Sequence, residues 1–168
     1  MFTHVPAGKH RVARRHNNPH GQGALGMSHF AFVDVKAGET SEVVIGGKGA
    51  VVTGKFVAVP HDAKVDWTLT VQRLAPPEDS PNMLPTSRAY EFFCQSDGSF
   101  TVPDVASGLY KLRARVTAGR KGDDDINYSP GMGKEIGTAE REVTVSEPTE
   151  EEPRATVDLG QIEVPLTP

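Results

Sequence analysis

The chain is most informative between residues 97 and 112, where it runs Asp97-Gly98-Ser99-Phe100-Thr101-Val102-Pro103-Asp104-Val105-Ala106-Ser107-Gly108-Leu109-Tyr110-Lys111-Leu112. An Asp-Gly pair between aromatic residues is a strong hairpin signal. After Gly108, residues alternate with the two-residue period of a strand that buries one face. The apolar members are Tyr110, Leu112, Ala114 and Val116, and the basic members are Lys111, Arg113 and Arg115. This stretch predicts strands joined by tight turns.

Similar strand patterns recur along the chain, and helical periodicity is nearly absent. Turn residues such as Lys36-Ala37-Gly38-Glu39 separate them. This spacing is typical of an antiparallel β-sandwich, so the predicted fold class is all-β. The predicted strands are Lys9–Arg15, Phe30–Lys36, Ser41–Ile45, Ala50–Val59, Trp67–Leu74, Arg88–Gln95, Ser99–Val102, Leu109–Thr117, Glu140–Ser146 and Ala155–Val164, with a bulge expected at Gly160, where the alternation changes parity.

Composition excludes several classes of protein. The 168 residues carry a net charge of −4 with both signs interspersed, so nucleic acid is not an expected partner, and the basic residues between Lys9 and Arg15 are interpreted as a solvated sheet face. No apolar run is long enough for a membrane span, and the first residues do not resemble a signal peptide. The single cysteine, Cys94, excludes an intramolecular disulfide and a cysteine-based zinc site.

Two parts of the chain share one pattern. Val5-Pro6-Ala7-Gly8 before the first strand matches Val105-Ala106-Ser107-Gly108 before a later one, and Phe32–Val35 matches Arg141–Val145. Each match is followed by an acidic turn and a final apolar strand. Residues 1–47 are therefore predicted to be the closing strands of a partial repeat, and residues 48–168 a complete unit.

The order of these motifs resembles a known family. Val51-Val52-Thr53-Gly54-Lys55-Phe56, then Asp97–Phe100, then Asp104–Leu112 is similar to carboxypeptidase regulatory-like domains, which are transthyretin-like (prealbumin-type) β-sandwiches. The closing stretch Val157–Val164 resembles the last strand of such domains, which often occur in tandem in bacterial multidomain proteins. Lys9-His10 departs from the pattern, because the family prefers an apolar residue and an aromatic there.

The resemblance implies a non-catalytic accessory module within a larger extracytoplasmic bacterial protein. Its expected role is structural or protein-interaction support, and its expected partners are neighbouring domains or another protein. The wider fold also contains starch-binding-like members, so the alternative is a carbohydrate-binding module with a glycan partner. No cofactor is expected in either case.

Metal-ligating residue types occur in two loops. His16 and His20, with His29 further on, could converge on a metal, and Asp123, Asp124 and Asp125 could offer oxygen ligands to calcium. Neither set has the spacing of a known site, so a solvated loop is the favoured interpretation of both, and no metal site is predicted.

Signals for ligand binding or catalysis are weak in this sequence. Tyr128, in a loop rich in glycine and proline, is the candidate for an exposed ring that could stack on a ligand. The glycine-rich Gly21–Gly26 lacks the strand and helix that a dinucleotide site requires. No nucleophile-elbow, redox-pair or zinc-protease motif occurs, so the chain is not predicted to be an enzyme.

Overall fold

The computed structural model describes residues 3–17, 25–47, 49–77, 89–118, 134–152 and 154–167. Strands dominate this part of the chain, and the only helical element in it is one short 3₁₀ turn. The strands are β1 (Gly8–Asn17), β2 (Leu25–Val35), β3 (Ala50–Val59), β4 (Gln72–Ala75), β5 (Tyr90–Phe92), β6 (Ser99–Val105), β7 (Gly108–Thr117), β8 (Glu135–Val145) and β9 (Thr156–Pro165), and the 3₁₀ helix is Trp67–Leu69. The all-β prediction is confirmed.

Three sheets are formed. A four-stranded antiparallel sheet has the order β5-β4-β7-β8, and a three-stranded sheet has the order β6-β3-β9. The third sheet is the separate hairpin β1-β2. The prediction of a wholly antiparallel sandwich is wrong in one pair, because β3 and β9 are parallel. The chain crosses from one sheet to the other between β8 and β9, so β9 enters beside β3 from the same end.

The two larger sheets enclose one hydrophobic core, and we call residues 49–167 of the described chain the sandwich. Alternate residues of β7 are buried as the sequence predicts, from Tyr110 to Val116. At the centre the ring of Phe100 stacks on Phe56 at 4.8 Å and meets Phe92 at 4.9 Å between centroids. Phe100 follows the Asp-Gly turn, which brings this aromatic residue to the middle of the core. The prediction of a hairpin here is wrong, because the turn joins β5 of one sheet to β6 of the other and these two strands do not pair.

The bulge predicted at Gly160 is confirmed. Thr53 pairs with Asp158 and Lys55 pairs with Gln161, so β9 has one extra residue at this point. Gly160 adopts the left-handed backbone conformation (φ 61°) that glycine tolerates best. The extra residue returns Ile162 and Val164 to the buried face that Leu159 occupies.

Two predicted strands differ in the structure. Ser41–Ile45 pairs with no strand in the described residues, although its conformation is not helical. The prediction for Trp67–Leu74 is also wrong in its first half. The Asp66 carboxylate accepts hydrogen bonds from the backbone N–H and the hydroxyl of Thr68, and this cap turns the chain into the 3₁₀ helix before β4 begins.

The hairpin β1-β2 lies outside the core of the sandwich, whose members all come from Ala50 onward. It contacts the sandwich mainly where β2 meets β5. The division of the chain after residue 47 and the partial repeat stay predictions. No helix in the described ranges is long and apolar enough to span a membrane.

Candidate functional site

The ligand candidates chosen from the sequence fall mostly outside the described residues. This holds for His20, for Asp123, Asp124 and Asp125, and for Tyr128. His16 belongs to β1, where its backbone pairs with Gly26. Within the described residues, no group of three or more histidine, cysteine or acidic side chains could hold a metal ion.

Cys94 is fully buried within the core. Burial, with a smaller effect from the Asp97 carboxylate, raises the pKa of its thiol to about 12. Because the thiolate is the reactive form, this cysteine is inert at neutral pH. It acts as a small apolar side chain of the core.

The strongest polar cluster joins the N-terminal segment to the sandwich at Asp104. Its carboxylate accepts hydrogen bonds from the backbone N–H groups of Gly47 (2.6 Å) and Gly49 (2.8 Å). The guanidinium of Arg14 lies 3.6 Å from the same carboxylate. Burial raises the pKa of Asp104, but these N–H groups and the charges of His29 and Arg14 outweigh it and leave the pKa below its usual value.

His29 completes this cluster from β2. Its Nε2 atom lies 2.7 Å from the backbone oxygen of Asp104 and 3.2 Å from the carboxylate, while Nδ1 lies 2.9 Å from the Ser28 hydroxyl. Ser28, His29 and Asp104 are therefore connected by a continuous series of polar contacts. However, Ser28 is only 3% exposed and His29 only 4%. These contacts bind β2 to the end of β6, and the Ser28 hydroxyl is not presented to solvent.

Two tyrosines hold the turn next to this cluster. The Tyr90 hydroxyl accepts a hydrogen bond from the N–H of Ala106, and the Tyr110 hydroxyl donates one to the carbonyl of Ala106, both at 2.9 Å. The ring of His29 meets the ring of Tyr90 edge-on, with 5.1 Å between centroids. The hairpin therefore rests on a part of the sandwich that is itself fixed by hydrogen bonds. We call the cluster of Arg14, Ser28, His29, Asp104 and the backbone N–H groups of Gly47 and Gly49 the junction.

Sequence reasoning missed the junction. Ser28-His29 and Asp104 are separated by 75 positions, and no motif links them. In the sequence, Asp104 belongs only to the pattern that precedes a strand, although its left-handed backbone (φ 64°) is typical of aspartate at turns. The prediction that assigned His29 to a loop is wrong, because His29 lies in β2 and is buried.

One face of the hairpin carries aromatic rings under cations. The Lys9 ammonium lies 5.4 Å from the centroid of the Phe32 ring, and the Arg11 guanidinium lies 5.0 Å from that of Phe30. The side chain of Phe32 is 59% exposed. We call these four side chains the cation-aromatic face.

The segment after β2 adds further exposed apolar surface. A turn at Lys36–Glu39 reverses the chain, and the Ser41 hydroxyl donates to the carbonyl of Asp34. Val44 is 90% exposed and Val43 is also exposed. The hairpin and this segment thus each carry exposed large apolar side chains, namely Phe32 in the one and Val43 and Val44 in the other.

No family model, curated protein or solved structure matches this chain. The resemblance to carboxypeptidase regulatory-like domains is therefore carried by the motifs in the sequence alone.

Proposed function

We propose that this chain is a non-catalytic accessory module of a larger extracytoplasmic protein, and that the β1-β2 hairpin is its protein-binding surface. The observation that carries the proposal is the separate position of this hairpin. Its exposed cation-aromatic face projects from a sandwich to which the junction fixes it.

The contrast between the two parts of the chain supports this assignment. The apolar side chains of the sandwich pack into one core, whereas those that the structure describes in the hairpin, in Val12–Ala13 and Phe30–Val35, stay exposed or half-buried. A two-stranded hairpin is marginally stable by itself, so exposed aromatic surface on it is costly unless a partner covers it. The resemblance to tandem accessory domains is in accord with such a partner being a neighbouring domain or another protein.

Carbohydrate binding is less well supported by the described surface. Phe32 is the only aromatic residue among the large apolar side chains that are exposed in the described residues. Lys9 already covers its ring. A sugar would have to displace this cation before it could stack, and a glycan platform normally offers a free ring.

The proposal can be tested with a photoreactive amino acid placed at Lys9 or, as a matched control, at Leu109. Both positions are exposed, and both are the second residue of a strand. In cells that make the full-length protein, we expect position 9 to crosslink to a discrete partner that excess unmodified chain displaces. Equal capture at both positions, or none at position 9, would contradict the proposal.

A further inference from the structure

The backbone leading into β1 has the same conformation as the backbone leading into β7. His4 and Asp104 are both left-handed, with φ of 59° and 64°. Four residues later, Gly8 and Gly108 begin the two strands with φ of 134° and 148°. Since non-glycine residues rarely adopt positive φ, the match of His4 with Asp104, at one spacing from two matching glycines, indicates a common local structure.

The β1-β2 hairpin and the antiparallel pair β7-β8, which we treat as a second hairpin, also begin their pairing in the same way. Gly8 pairs with Val35, the last residue of β2, and Gly108 pairs with Val145, the last residue of β8. Each hairpin joins a strand of 10 residues to one of 11 residues. Each also has a register shift towards its far end.

A side-chain contact repeats at the same place. The Tyr110 hydroxyl donates to the carbonyl of Ala106, and Nε2 of His10 lies 2.7 Å from the carbonyl of Pro6. In both cases the side chain reaches back four residues to the turn before the strand. His10 thus performs the contact that Tyr110 makes, although the sequence pattern prefers an aromatic residue there.

The two hairpins differ at the edge of the first strand that faces away from the second strand. On β7 that edge pairs with β4, where Leu74 is opposite Leu112 and Arg73 is opposite Arg113. No strand in the described residues pairs with the corresponding edge of β1, which would centre on Val12. The open edge of β1 therefore corresponds to the edge of β7 that pairs with β4.

The cationic side chains of β1 and β7 also have different partners. On β7, Lys111 and Arg113 pair with Glu140 at 3.2 and 2.9 Å. On β1, Lys9 and Arg11 have no carboxylate within ion-pair distance among the described residues, and they lie over phenylalanine rings instead. This face therefore carries two cations without an ion pair among the described residues, although Asp34 of β2 is the cross-strand neighbour of Lys9.

We propose that the open edge of β1 accepts an extended strand from another polypeptide, and that this strand alternates acidic and apolar residues. The inference rests on the proposed function and names the partner of the same surface. Backbone hydrogen bonds to β1 would supply the pairing, as in other cases of strand addition. Acidic residues opposite Lys9 and Arg11 and an apolar residue opposite Val12 would supply the specificity.

The same charges disfavour a second copy of this chain as the occupant. Antiparallel pairing of two β1 edges would bring Lys9 and Arg11 of each copy near the arginines of the other, and like charges on facing strands are destabilising. Cations on an exposed edge are a common protection against such self-pairing.

The experiment measures binding of two labelled peptides to the full chain by fluorescence anisotropy at low salt. One peptide contains Glu-Val-Glu-Val-Glu-Val and the other Lys-Val-Lys-Val-Lys-Val. We expect the acidic peptide to bind at least about tenfold more tightly than the basic one. Amide hydrogen exchange is expected to slow along β1 at Arg11–Ala13 when the acidic peptide binds.

Charge-exchange variants make the test specific. Lys9→Glu/Arg11→Glu should reverse the preference so that the basic peptide binds more tightly. Lys9→Gln/Arg11→Gln should abolish the preference. The control Lys64→Glu/Lys134→Glu alters exposed lysines away from β1 by the same charge and should leave the preference unchanged.

The inference is overturned if the wild-type chain binds both peptides equally or neither, or if protection appears on another strand. It is also overturned if sedimentation shows a dimer that Lys9→Glu/Arg11→Glu dissociates, because a second copy would then occupy the edge. Crosslinking at position 9 without binding of the acidic peptide would refute the addition of an acidic strand to β1, but it would not refute the proposed function. Failure of that crosslinking would refute the proposed function itself.

Discussion

At the scale of single residues, Asp104 connects β1, β2 and the segment before β3 to the sandwich. Its carboxylate binds the backbone that enters β3, and its main chain binds His29 of β2. Its side chain is only 17% exposed, so solvent cannot easily replace these bonds. Asp104 therefore links the N-terminal segment to the sandwich through charge as well as through shape.

We expect Asp104→Asn to lower the free energy of unfolding at pH 7 by about 1–3 kcal/mol, because hydrogen bonds to a charged group are lost. The wild-type contribution should also depend on pH. Since the folded-state pKa of Asp104 is lowered, its charge stabilises the fold above the unfolded-state value of about 3.9, and the stabilisation is lost as the pH falls through the folded-state pKa.

Urea unfolding at pH 7 and at pH 3 measures both effects. The difference between the wild type and Asp104→Asn should be large at pH 7 and should shrink at pH 3. Asp34→Asn, at an exposed position of β2, is the control and should change stability little at either pH. A constant difference at both pH values would contradict the role assigned to the charge.

At the scale of elements, the matched contacts before β1 and β7 allow a direct comparison. Tyr110→Phe removes a hydrogen bond from a buried hydroxyl and should cost about 0.5–1.5 kcal/mol. His10→Phe removes the corresponding bond at a site nearer to solvent, and we expect the smaller loss of the two. Thermal unfolding of the two variants measures the difference. A larger loss for His10→Phe would show that the N-terminal contact is the more important one.

How far the sequence predicts an element depends on where its partners lie. β7 is predicted correctly because its alternation from Tyr110 to Val116 is local and matches its buried face. The direction of β9 is not predictable in this way, because alternation is the same in a parallel and an antiparallel strand. Ser41–Ile45 has the composition of a strand, yet a strand needs a neighbour to pair with, and composition does not supply one.

The same reasoning applies to the candidate site. The sequence contains the cations of β1 and predicts a solvated sheet face for them. Their position over Phe30 and Phe32 depends on the hairpin register, which brings Arg11 opposite Phe32 and so places Phe30 diagonally within its reach. The junction is formed by residues from three distant parts of the chain, so no local sequence pattern predicts it.

At the scale of the whole molecule, the core and the hairpin should respond differently to truncation. The core cluster runs from Ala50 to Val164 and contains no residue of the hairpin. We expect a chain of residues 48–168 to fold cooperatively, with a lower melting temperature because the contacts of His29 with Asp104 and Tyr90 are lost. Circular dichroism and calorimetry measure this. An unfolded product would show instead that the N-terminal segment completes the sandwich.

The parallel pair β3-β9 also determines how the sandwich would bear a mechanical load. The first and last strands of the sandwich lie side by side, paired from Val51 with Thr156 to Val59 with Pro165. A pull on the start of β3 and on the end of β9 would slide these strands past each other, so their hydrogen bonds would be strained together and not broken one at a time. A module placed between two other domains would therefore resist extension in shear, the geometry in which a β-sheet is strongest.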